Sequence, residues 1–273
     1  MVFGGESAES YYDEGLTASM KGDLEQAVRN FEKTIRLDNT FSAAYHQLGK
    51  CYARMGENGK AVDLLLQVVR NRPEQTASRL DLGFAYIALH KIEEARNQFI
   101  QVQGLESDNG RARLGLAQAS FHEGDWTKAM SEAQSALELS GSNFPVLYLL
   151  GRTAKLAGNL EMASNMLNKA DALLEKTLEA SGDKPESYFL RGEVAYIREK
   201  YPAALEQYKT AEKFAAPDRS YSSYGENFTA NDILAKQGLC LQRLGQDSLA
   251  RTMGERIGAI DPEHKMGKSL RGA

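Results

Sequence analysis

The sequence predicts an all-α fold, an array of helical hairpins, on three observations. Ala27, Ala61, Ala95, Ala129 and Ala163 stand 34 residues apart, and Ala204 and Ala250 continue the series at longer intervals. Twelve residues before each stands another small residue: Gly15, Gly49, Gly83, Ala117, Gly151, Gly192 or Gly238. Between the two, glycine recurs at a fixed place, as Gly22, Gly56, Gly124, Gly158 and Gly245. A single hydrophobic core needs no such period. An array whose units bury their apolar faces against their neighbours does.

Each position has a physical reason. The two small residues let the helices of a hairpin approach closely, so a bulky side chain such as Phe at Ala95 would overpack the contact, at about 1–3 kcal/mol. The recurring glycine falls where the first helix must end and the chain reverse. His90 and Glu199 occupy that place in the third and sixth repeats, so those turns are expected to be shaped differently. All six prolines (Pro73, Pro145, Pro185, Pro202, Pro217 and Pro262) fall at predicted helix starts or between hairpins. None breaks a helix interior, where it would cost about 3 kcal/mol.

In the window 42–75, Tyr45, Leu48, Gly49, Tyr52, Ala61, Leu65, Val68 and Pro73 stand at places 4, 7, 8, 11, 20, 24, 27 and 32. This closely resembles the tetratricopeptide repeat, W-x2-L-G-x2-Y followed by Ala, Phe and Pro at fixed offsets. The same frame fits 8–41, 76–109, 110–143, 144–177, 185–218 and 231–264. The resemblance implies a right-handed α-solenoid of seven helix-turn-helix hairpins spanning 8–264, with inserts near 178–184 and 218–230. Residues 1–7 are expected to form a disordered N-terminus, and 265–273 a short basic tail.

Two intervals break the period. From Ala163 to Ala204 the spacing is 41, seven residues more than the repeat. Seven residues are about two helical turns, which predicts one long helix over 160–180, ended near Gly182. It reads as a local extension or, alternatively, as an added docking ridge. From Ala204 to Ala250 the spacing is 46. The extra segment, 218–230, is polar yet carries Tyr221, Tyr224 and Phe228; it reads as a solvated connector or as a loop that contacts a partner. No strands are evident.

Lys and Arg total 33 against 37 Asp and Glu, intermixed, for a net charge of −4. That disfavours nucleic acid, whose phosphates require a concentrated basic face. The longest apolar run, 144–150, is far below the roughly 18 residues of a membrane span, so membrane insertion is not expected. The first residues have neither a basic n-region nor an apolar h-region. The expected location is cytoplasmic, with export or anchoring as the alternative if a leader has been removed. Cys51 and Cys240 share one place five repeats apart, so a disulfide between them is not expected. His46, His90, His122 and His264 lie in four different repeats with no paired ligand spacing, and no nucleophile elbow or phosphate loop is present. No metal, cofactor or enzymatic activity is expected.

In the resembled family the first helices line a concave groove through places 2, 5, 9 and 12. This implies a groove of Tyr12 and Leu16, then His46 and Lys50, then Leu80, Phe84 and Ile87, then Arg111, Leu114, Gln118 and Phe121. Tyr148, Arg152 and Lys155 follow, then Phe189 and Glu193. Leu80, Phe84, Leu114 and Phe121 are expected to form one exposed apolar strip, the mark of an interaction site. It suits an apolar or amphipathic segment, with Arg111, Arg152 and Lys155 meeting its carboxylates. The family's clamp for acidic chaperone tails is absent, since Tyr12, Leu16, Gln47, Ala77 and Asp81 hold its positions. The function expected is a non-catalytic adaptor or scaffold binding a protein or peptide partner. The alternative is a self-assembling scaffold, a homo-oligomer joined through the C-terminal repeat, where Met253, Ile257 and Ile260 are expected to lie partly uncovered.

Overall fold

The computed structural model describes residues 7–181, 183–224 and 226–272. The chain divides into two compact units, Met1–Ser140 and Gly141–Ala273. The first is a stack of four hairpins: α1 (Ala8–Lys21) with α2 (Leu24–Leu37), α3 (Ser42–Arg54) with α4 (Asn58–Asn71), α5 (Thr76–Ala88) with α6 (Ile92–Leu105), and α7 (Gly110–Glu123) with α8 (Trp126–Ser140). The second holds α9 (Phe144–Leu156) with α10 (Leu160–Ser181), α11 (Pro185–Ile197) with α12 (Tyr201–Phe214), and α13 (Ala230–Arg243) with α14 (Asp247–Ile260). A two-stranded antiparallel hairpin, β1 (Tyr221–Ser223) and β2 (Glu226–Phe228), precedes α13, and a short α15 (Lys265–Arg271) follows α14.

The small residues work as spacing predicts, and the structure supplies their partner. A Cβ on Gly83 would stand 2.6 Å from Cε1 of Phe99, one on Gly15 2.6 Å from Phe31, and one on Gly192 2.5 Å from Tyr208. In these hairpins the glycine of the first helix is thus the seat of a large residue from the second helix, and Phe31, Phe99 and Tyr208 are completely buried.

The turns carry a correction. Gly22, Gly56, Gly124, Gly158 and Gly245 have φ between 71° and 83°. His90 and Glu199 do not make a different turn: they take the same left-handed conformation, at φ 56° and 61°. The hydrogen bonds agree, because His90 N–H donates to Ile87 O and Lys91 N–H to Tyr86 O, as Gly22 and Asp23 donate to Ser19 O and Ala18 O. A side chain there costs about 1–2 kcal/mol, which the packed hairpins outweigh.

The ends and inserts differ most from expectation. Ser7 accepts a hydrogen bond from Ser10 N–H at 3.1 Å and caps α1; the rest of the expected disordered N-terminus lies outside the described residues, as does Gly182. The interval after Ala163 contains one 22-residue helix, α10. The segment 218–230 is not the strandless connector expected: it forms β1 and β2, with Tyr221 and Phe228 both buried. The basic tail is not a tail either. Its Leu270 is completely buried, with its Cβ 2.9 Å from where a Gly254 Cβ would be. Gly254 stands where other repeats have Phe31, Leu65, Phe99 or Tyr208, so α15 supplies the missing bulk from outside the hairpin. Ile257 is therefore fully buried and Met253 half-buried; Ile260 alone of the three stays exposed. The uncovered terminal surface that motivated self-association is largely closed.

Candidate functional face

Within the first unit, α1, α3, α5 and α7 touch one another in succession, so their outward positions form one face. Not all the predicted lining residues reach it. Leu80 and Ile87, 3% exposed, pack into the core with Leu82, Phe99 and Leu116, and Leu114 is only 7% exposed. The continuous exposed strip expected from the sequence is therefore broken. Phe84 and Phe121 remain, both half-buried. Phe84 leans on Phe99 with ring centroids 5.0 Å apart, and Phe121 meets Trp126 edge-on at 5.2 Å. Tyr12 and Leu16 are half-buried; the Tyr12 ring packs on Phe41 at 4.9 Å. Lys50 is exposed. Gln118 is half-buried, and its Oε1 is buried with no hydrogen-bond partner among the described residues.

A charged chain crosses this face. Asp81 Oδ2 lies 2.8 Å from His46 Nε2, and Asp81 Oδ1 accepts from Arg111 Nη2 at 2.9 Å. The Arg111 guanidinium also lies 5.6 Å from the centre of the Phe84 ring. Burial pushes the Asp81 carboxyl up, but the hydrogen bond from His46 and the Arg111 charge more than offset it, holding it below its ordinary value. Arg111 itself stays 55% exposed, so its remaining donors face solvent. Asp81 was noted in the sequence only as a missing clamp residue. Its role as the anchor that orients Arg111 needed the fold.

In the second unit the predicted lining residues are occupied by the chain itself. Tyr148 and Phe189 are 3% exposed and Glu193 7%. The β1–β2 hairpin, registered as Tyr221 on Phe228, Ser222 on Asn227 and Ser223 on Glu226, lies on α9, α11 and α13. Phe228 stacks on Phe189 at 3.9 Å and 9°, and Tyr221 stacks on Phe228 at 5.2 Å. Tyr224 packs on Phe144 at 5.0 Å. Glu226 accepts from the Tyr148 hydroxyl at 3.2 Å and from the Arg152 guanidinium.

The electrostatics follow from that cover. Burial pushes the Tyr148 hydroxyl well above its ordinary value, and the Glu226 charge adds to it. For Arg152 burial acts downward, but Tyr148, Glu226 and Glu193 together hold the guanidinium above its usual range. Glu193 is no free acid either: it accepts from Tyr208 at 2.6 Å and pairs with Lys236 at 2.7 Å. Lys155 pairs with Glu199 at 2.8 Å and donates to Ile197 O. Arg152 and Lys155, expected to meet a partner's carboxylates, are thus matched within the chain. For Arg152 the sequence signal was the three aromatics, Tyr221, Tyr224 and Phe228, in a polar insert.

Repeated helix–turn–helix units, most of them seating a bulky residue on a small one, define a helical-repeat protein. The tetratricopeptide repeat profile matches residues 18–78, 80–144 and 155–220, and the chain belongs to the tetratricopeptide repeat family. It is 30% identical over 121 residues to anaphase-promoting complex subunit cut9 of Schizosaccharomyces pombe, a match covering 44% of this chain and 18% of that protein. It is 24% identical over 152 residues to anaphase-promoting complex subunit 6 of Arabidopsis thaliana, covering 55% of this chain and 26% of that one. The matches therefore span about a fifth to a quarter of these relatives' length. Among solved structures, a tetratricopeptide repeat protein from Parabacteroides merdae has a TM-score of 0.58 at 13% identity, over 97% of this chain and 98% of that one. The Cut9–Hcn1 hetero-tetramer has a TM-score of 0.56 at 18% identity, over 90% of this chain and 52% of that one. These likenesses show the fold, and the family is one of protein-interaction scaffolds. Among the described residues no helix is long and apolar enough to cross a membrane, and no group of three or more metal-ligating side chains gathers.

Proposed function

We propose that this chain is an adaptor whose first unit receives an amphipathic segment of a partner protein across α1, α3, α5 and α7. The segment's apolar side chains rest on Phe84 and Phe121, and its carboxylates meet Arg111 and Lys50. The observation that carries this reading is the juxtaposition at Phe84: a half-buried aromatic ring beneath a guanidinium that Asp81 orients and solvent still reaches. An aromatic body beside a fixed planar donor suits a segment that alternates apolar and acidic groups. Tyr12 and Leu16 extend the apolar surface toward the N-terminal hairpin. Tyr148, Arg152, Lys155, Phe189 and Glu193 are not assigned to this partner, because their own chain engages them.

Selection of a displayed random-peptide library on the purified chain tests the proposal. Enriched peptides should pair apolar with acidic residues and lose at least about tenfold in affinity, some 1.4 kcal/mol, on the Phe84→Glu/Phe121→Glu variant. Circular dichroism must first show the variant folded. Peptides that bind wild type and variant equally would reject the assignment.

A further inference from the structure

The β1–β2 hairpin does not sit at random. Its contacts on α9 and α11 (Tyr148, Arg152 and Phe189) are the fifth and ninth places of one repeat and the fifth of the next. The strand 226–228 makes two side-chain contacts of different kind: the Glu226 carboxylate on Tyr148 and Arg152, and the Phe228 ring flat on Phe189 at 3.9 Å. Asn227 between them is exposed, as alternation along a strand requires. We propose that this strand is a resident occupant of a recognition site on the second unit. The site takes an extended partner segment in which a carboxylate is followed, two residues on, by an aromatic ring.

The chemistry of the site argues for that partner class. Tyr148 and Arg152 together present donors that the Glu226 carboxylate accepts, so a planar carboxylate matches that subsite. Phe189 offers a flat face that only a planar side chain fills at stacking distance. An aliphatic or basic segment would leave one of the two subsites unsatisfied. Tyr224, which follows β1, has a φ of 52°. That residue is half exposed, and its left-handed backbone is one a side chain disfavours. An incoming segment competes with a tethered one, so its apparent affinity falls by the fraction of molecules whose site is open. Weakening the tethered strand should therefore strengthen binding from outside. This proposal concerns a different face from the first unit's and does not rest on it.

The test uses the full chain and a fluorescent peptide, Ser-Tyr-Gly-Glu-Asn-Phe-Thr, with a control in which Glu and Phe are replaced by Lys and Ser. Phe228→Ala should bind the peptide at least about tenfold more tightly than wild type, and adding Arg152→Ala should remove that gain. Equal binding by wild type and a folded Phe228→Ala, or equal binding of the control peptide, would overturn the proposal. Hydrogen exchange on the unaltered chain keeps the question answerable if Phe228→Ala misfolds. Saturating peptide should speed exchange of the 221–228 amides, and unchanged exchange would refute displacement.

Discussion

Phe99 gives the sharpest test of how this chain packs. It is completely buried and lies between two glycines of successive first helices. A Cβ on Gly83 would stand 2.6 Å from its Cε1 and 2.7 Å from its Cζ; one on Gly115 would stand 2.6 Å from its Cδ1. The ring cannot escape one added methyl without meeting the other helix. Gly83→Ala should thus incur an overpacking cost near the upper end of about 1–3 kcal/mol, offset by about 1 kcal/mol of helix propensity. The net expectation is a loss of about 2 kcal/mol. In a Phe99→Ala background the sign should reverse, because alanine lacks every ring atom that the new methyl meets; there the same substitution should stabilise by up to about 1 kcal/mol. The fourth hairpin offers a precedent, with Ala117 where others have glycine and Ala133 at the place of Phe99. The protein's one tryptophan, Trp126, lies in the first unit, so its fluorescence in a urea titration reports this unit directly, and a double-mutant cycle isolates the coupling. A Gly83→Ala variant as stable as wild type, or a coupling within about 0.5 kcal/mol of zero, would refute the packing argument.

Four further outcomes are expected. His90→Gly should stabilise the first unit by about 0.5–1 kcal/mol, since it relieves a left-handed residue at an exposed turn; the urea midpoint from Trp126 fluorescence checks it. Leu270→Ala should cost about 2–5 kcal/mol by opening a cavity against Gly238 and Gly254, read by thermal melting followed by circular dichroism. Asp81 has a folded pKa below its ordinary value, so its contribution is present above the unfolded carboxyl pKa of about 3.9 and is lost as pH falls through the lower folded value. Asp81→Asn should therefore lower stability at neutral pH and flatten the acid limb below about pH 4, measured by urea unfolding at a series of pH values. Burial pushes the Cys240 thiol to about 12 and raises that of Cys51, so both should resist iodoacetamide at pH 8 in the native chain and react promptly in urea, as intact mass will record.

The hairpins were legible because their cause is local and repeated. A small residue at one place and another twelve residues later marks a close helix–helix approach wherever it occurs, and a glycine between them marks a left-handed turn. His90 and Glu199 misled because a turn's hydrogen bonds can hold a non-glycine residue in the glycine conformation. The β1–β2 hairpin escaped notice because three-residue strands are too short to display an alternating pattern. Its stability comes from α9 and α11, far away in sequence. Leu270 was hidden for the same reason: a seven-residue helix has hardly two turns of periodicity, and the vacancy it fills is visible only once Gly238 and Gly254 face each other. On the functional face, periodicity identified the first-helix positions but not which of them turn inward. Leu80 and Phe84 are one helical turn apart, yet the first is buried and the second is not, a difference set by the neighbouring helix.

Titrating the best library-selected peptide while following Trp126 emission tests directly the proposed binding of a partner segment over Phe84 and Phe121. Trp126 touches Phe121 edge-on at 5.2 Å, so occupancy should shift its spectrum. Binding should be saturable, weakening at least about tenfold in Phe84→Glu and by less than about twofold in Ile100→Glu, an exposed position on α6. Equal affinity for Phe84→Glu and wild type, or an equal loss in both variants, would contradict it.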